Sequence, residues 1–110
     1  MPIIPSSSIN INTTPMVDEP TPVNKTLAVA NTAEDLVLVP VGKKCRKFTF
    51  INEGPGTAYI AADGTATTAS VPIEPKDAWS EEGVEVSTKF SFIGESGKKP
   101  KVRGVIWSGV

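Results

Sequence analysis

The chain has 110 residues, 39% hydrophobic and 21% charged, with a net charge of −1. That length allows one domain, and the charge balance excludes a global pull toward nucleic acid or an anionic membrane. Histidine, the commonest general base and metal ligand, is absent, and the single Cys45 can make neither an intramolecular disulfide nor a thiolate metal cluster.

Residues 1–22 form a first region of distinct character. They hold five of the ten prolines (Pro2, Pro5, Pro15, Pro20 and Pro22) and none of the nine glycines, and Asp18 and Glu19 are their only charges. Proline fixes φ and drives its predecessor toward extended backbone, so the segment reads as a stiff arm. Fully stretched it spans about 70 Å. Ile3 and Ile4 stand between two prolines, and Ile9 and Ile11 alternate with Asn10 and Asn12 in the period of a strand edge. Two readings stay open. One is a solvated tail with incidental isoleucines; the other is an arm that orders on a partner by adding a strand or laying Ile3, Ile4, Ile9 and Ile11 into pockets. The opening MPIIPSSSININ has no basic stretch and no apolar run of signal-peptide length. No stretch approaches the roughly 20 apolar residues of a membrane helix. The expectation is a chain made in the cytoplasm, with no secretion signal and no transmembrane segment, folding under reducing conditions.

Residues 23–110 read as short strands. The predicted strands cover 25–30, 36–39, 44–52, 57–61, an edge piece at 70–73, 78–80, 84–92 and 101–108. Turns are expected at 31–35, Val41-Gly42, 53–56, Asp63-Gly64, 74–77, Glu82-Gly83 and 94–100. Alternation assigns faces: Phe48 and Phe50 against Lys47, Thr49 and Ile51; Phe90 and Phe92 against Lys89, Ser91 and Ile93; Val102, Gly104 and Ile106 against Arg103, Val105 and Trp107. The four phenylalanines read as core, and Trp107, on a mixed face, as a contact residue. The expected fold is all-β: a single small sandwich or barrel of antiparallel strands over 23–110, preceded by an extended N-terminal arm over 1–22. A domain of this size buries only about 60–65% of its unfolded surface, so partners add to its stability.

Catalytic constellations are missing from the pattern. Nucleophilic triads need a base that the chain lacks. The carboxylate pairs Asp18-Glu19, Glu34-Asp35 and Glu81-Glu82 fall in predicted turns or tail, where solvated charge is the ordinary explanation. Gly54-Pro55-Gly56 lacks the Lys-Ser/Thr of a phosphate loop and reads as a hairpin turn; Asp63-Gly64-Thr65 lacks the repeating acids of a calcium loop. The reading is a non-enzyme with no catalytic, cofactor or metal site. Two basic clusters, Lys43–Lys47 and Lys98–Arg103, would make one basic patch if their strands are adjacent, or serve as soluble edges; scarce aromatics argue against nucleic acid. Cys45 reads as a small buried hydrophobe, the alternative being an exposed thiol activated by its basic neighbours.

The stretch from Val39 to Pro75 resembles small β-domains in structural proteins of tailed bacteriophages. It carries a basic residue and a strand ending in Asn, a Gly turn, a strand with a Tyr, a Gly-Thr-Thr-like segment and a Pro-hydrophobic-x-Pro step. Arg46, Asn52, Tyr59, Thr67, Thr68, Pro72 and Pro75 fill those places, and Lys76 stands where such domains often have Gly. The resemblance implies a virion protein: a head decoration or cement protein binding the major capsid protein or other virion subunits, in many copies on a symmetric shell or as a homo-oligomer. Alternatives are a tail or fibre component, including a receptor- or carbohydrate-binding tip with Trp79 and Trp107 as platforms, or a head–tail connector. Ile3, Ile4, Ile9, Ile11 and Trp107 are the candidate partner-binding residues.

Overall fold

A computed structural model describes residues 18–110. These form eight strands: β1 (Glu19–Thr26), β2 (Glu34–Leu38), β3 (Lys44–Asn52), β4 (Ala58–Ala62), β5 (Val71–Ile73), β6 (Ala78–Val86), β7 (Lys89–Gly94) and β8 (Lys101–Gly109). Two four-stranded antiparallel sheets result, ordered β1-β8-β3-β6 and β2-β7-β4-β5. The fold is therefore an all-β sandwich and not a barrel. The pairs β1/β8, β2/β7, β3/β6 and β4/β5 are nested. The chain behaves as one long antiparallel ribbon, four strands out and four back, rolled into two layers. That is the jelly-roll arrangement of two interlocked Greek keys.

The inner faces meet on an aromatic cluster. Phe48 and Phe50 of the first sheet pack on Phe90 and Phe92 of the second, with ring centroids 5.0–5.4 Å apart. Val23, Leu27, Val37, Ile60, Ile73, Val102 and Ile106 surround them, all buried. The alternation read from the sequence places the four phenylalanines, Val102 and Ile106 correctly, because a half-buried strand must send every second side chain inward.

Three expectations need correction. The first strand starts at Glu19, not Lys25, so residues 19–22 belong to the sandwich and not to the arm. Proline is tolerated there because β1 is an edge. In its register Leu27 N–H donates to the Pro100 carbonyl (3.1 Å), so alternation turns Pro20 and Pro22 outward, where no donor is required. Second, Glu82-Gly83 is not a turn but the interior of β6. Gly83 (φ 76°) forms a bulge there: Cys45 and Lys47 of β3 face Val86 and Glu82. The chain reverses instead at Ser87-Thr88, between β6 and β7. Third, Gly54-Pro55-Gly56 is no hairpin; it carries the chain from one sheet to the other.

All four edges resist further pairing. β1 carries two prolines, β5 has three residues including Pro72, β2 contains a register irregularity, and β6 has its bulge and Glu81, Glu82 and Glu85. These devices suppress edge-to-edge association.

Candidate interaction surface

The two ends of the sandwich differ. At one end the four loops 27–33, 53–57, 74–77 and 95–100 are tied together. Asn52, fully buried, donates to the carbonyls of Gly56 and Ile73 (2.8 Å each) and accepts from Gly54 N–H (2.7 Å). Gly97 N–H donates to the Asn31 side chain (2.9 Å), and Thr57 N–H to the Glu95 carboxylate (2.8 Å). Backbone groups inside this loop layer are paired to one another, which stiffens it.

The opposite end holds Asp18 and Val110. Arg46 occupies a bulge of β3, where Cys45 and Lys47 face the adjacent Ser108 and Trp107 of β8. Its side chain donates to Asp18 Oδ1 (3.0 Å) and to the Val110 carbonyl (2.9 Å). Lys43 pairs with Glu19 at 3.3 Å. Two cations beside β3 thus hold the root of the arm, across β8, with Arg46 gripping both ends of the domain. The same end shows apolar surface. Leu38 is 68% exposed, Val41 fully exposed and Val110 67% exposed. Leu38 lines two grooves. One, of about 380 Å³, runs between the edge strands β1 and β2 and includes Pro22, Val23, Leu36 and Val37. The other, of about 420 Å³, includes Val39, Val41, Ser87 and Thr88.

Asp63 braces this end. In a left-handed turn (φ 56°), its carboxylate accepts from Ser87 N–H (2.8 Å) and from Thr88 N–H and hydroxyl (2.6 and 2.8 Å). Desolvation pushes its pKa up, but those donors outweigh it and hold the group at about 2.

The broad faces differ as well. The 63–70 loop folds over the outside of the second sheet, where Ala66 N–H donates to Ser91 Oγ (2.9 Å) and both residues are buried. Register places three rows on the outside of the first sheet: Pro20–Trp107–Lys47–Glu82, Pro22–Val105–Thr49–Ser80 and Asn24–Arg103–Ile51–Ala78. Trp107 lies on this face as expected, with Lys47 Nζ 4.7 Å above its ring. Trp79 is different. Opposite the inward-facing Phe50, alternation turns it toward the core rim, where it meets Phe48 edge-on at 4.9 Å and donates to Glu81 (3.0 Å).

Of the other candidates, Ile3, Ile4, Ile9 and Ile11 lie outside the described residues. Cys45 is fully buried, and burial raises its thiol pKa, so it is the small hydrophobe expected. The basic clusters do not combine. β3 and β8 are adjacent but antiparallel, Lys44 facing Gly109 and Asn52 facing Val102, so the clusters stand at opposite ends. Five of the six paired carboxylates are engaged, and two of the pairs lie within strands: Glu34 accepts from Ala28 and Val29 N–H, Asp35 pairs with Lys89, and Glu81 accepts from Trp79. The apolar loop Leu38–Val41 is visible in the sequence only as a strand and turn, because nothing local distinguishes a buried valine from an exposed one. Among the described residues no group of three or more His, Cys, Asp or Glu is placed to hold a metal, and no helix is long and apolar enough to cross a membrane.

The molecule is thus a jelly-roll domain with one stiff loop end and, at the other, exposed apolar side chains beside the anchored Asp18 and Glu19. Compared with known proteins, the chain matches no family model and no curated relative.

Proposed function

We propose that the protein is a structural virion component, a decoration or cement protein that binds an assembled phage head and stabilises it without catalysis. One observation carries the reading: Asp18 and Glu19, the residues that follow the arm, are fixed by Arg46 and Lys43 at the same end of the sandwich as the exposed Leu38 and Val41. A pinned arm next to an apolar surface makes two linked contacts, and linkage raises effective concentration at the second. A protein that binds only the assembled shell shifts its equilibrium by mass action. The jelly roll supports the reading by analogy, since the fold is frequent in viral capsids; it also serves lectins, so the fold alone does not decide. Trp79 has its ring engaged by Phe48, which leaves Trp107 as the principal aromatic for a glycan-binding tail alternative.

The test is sedimentation with purified particles of the phage that encodes the chain. Co-sedimentation with heads, and a raised temperature of head disruption on adding the protein, are expected. Binding confined to tails, or to no particle, overturns the reading.

A further inference from the structure

We infer that the two grooves sharing Leu38 receive the isoleucine-bearing arm of a second copy of this chain. The inference rests on the proposed docking role of the arm but names its receptor.

The receiving surface is apolar and open. Pro22, Val23, Leu36 and Val37 form the apolar part of one groove, which Lys25 and Asp35 flank; Val39 and Val41 line the other with Ser87 and Thr88, and Leu38, 68% exposed, stands between them. The flank between β1 and β2 is closed to ordinary strand addition over the stretch where Pro20 and Pro22 turn outward without donors. Side chains rather than a continuous backbone ladder must therefore supply the contact. Residues 1–17 have the matching chemistry. Docked as an extended strand, the sequence would send Ile9 and Ile11 to one side, toward the groove, and Asn10 and Asn12 to the other, toward water. From Asp18 the arm reaches about 55 Å when stretched, enough to cross onto a neighbour.

A second copy is favoured over the chain's own groove by where the root is held. The root at Asp18 and Glu19 is held by Arg46 and Lys43 beside β3, across β8 and on the side of β1 away from the β1/β2 flank.

Paired cysteines test this in the full-length protein, since native Cys45 is buried and does not compete. Under mild oxidation, Ile11→Cys combined with Leu38→Cys is expected to give intermolecular disulfides on a non-reducing gel. Ile11→Cys combined with Ser96→Cys, at the other end of the sandwich, is expected to give far fewer. Leu38→Asp without the introduced cysteines is expected to weaken self-association, followed by sedimentation velocity, by about tenfold or more. Intramolecular bonds only, equal cross-linking at Ser96, or no cross-linking each overturn the inference. Head binding by the same variants is scored separately. Heads bound without cross-linking leave the decoration reading standing and remove only this receptor site; cross-linking without head binding does the reverse.

Discussion

Lys76 holds a backbone conformation that its side chain disfavours. Its φ is 70°, in the turn between β5 and β6, and its N–H donates to the Asn52 carbonyl, so the turn cannot relax without loosening that clamp. A left-handed residue with a Cβ costs about 1–2 kcal/mol, which glycine avoids. Lys76→Gly is expected to raise stability by about 0.5–1 kcal/mol in urea titration, after the added freedom of the unfolded chain is subtracted. The structure holds Lys76 in a backbone conformation that favours glycine. Asp63 gives a prediction with a pH sign. Its folded pKa of about 2 lies below the ordinary value of 3.8. Its contribution is therefore fully present above about pH 4 and is lost as pH falls toward 2. Asp63→Asn should be less stable than the parent at neutral pH, and the gap should shrink between pH 4 and 2 in denaturant midpoints. A gap constant across that range would mean the carboxylate is not held by Ser87 and Thr88. Nothing near Asp63 in sequence announces these donors, because they lie more than twenty residues away and meet it only when β4 and β7 pair.

At the scale of elements, β3 and β8 are the most legible in the sequence, and they share the closest approach in the sandwich. Both alternate cleanly, and the pattern puts β3 at its observed bounds. Gly104 of β8 stands opposite Phe50, and a Cβ there would collide with the Thr49 carbonyl of β3. Gly104→Ala must push these central strands apart, and about 2–3 kcal/mol of destabilisation is expected, measured by thermal or urea unfolding. An unchanged midpoint would show that the strands give way there at no cost. β1 and β6 depart from the sequence pattern for a common reason. Pattern reading penalises proline and glycine inside strands, yet both residues are admitted at edges and bulges, which depend on which strands are neighbours. The sequence of one strand does not state whether it is an edge. The apolar end is hidden for a related reason: Leu38 and Val41 are exposed because the β2–β3 connection crosses between sheets there, a property of topology.

The whole molecule is a nested ribbon, and that predicts how truncation divides. Among the described residues, every member of the buried hydrophobic core lies between Val23 and Ile106. Removing residues 1–17 is expected to leave the melting midpoint within about 2 °C, a shift smaller than a single kcal/mol produces in a domain this size, while self-association and particle binding are lost. Removing residues 1–22 is expected to do more. That cut takes half of β1, the Asp18–Arg46 and Glu19–Lys43 pairs, and the two prolines that blunt the edge. It leaves the C-terminal half of β8 unpaired on one side, a backbone edge open to other chains. A midpoint lowered by about 5–10 °C, with concentration-dependent aggregation, is expected. The two truncations differ by five residues, so calorimetry on both separates arm from fold. If the longer cut melts like the shorter one, β1 contributes little to the sandwich and the arm begins nearer residue 22. If the shorter cut already destabilises the domain, residues 1–17 pack on their own copy, and the docking of arms between copies fails with it.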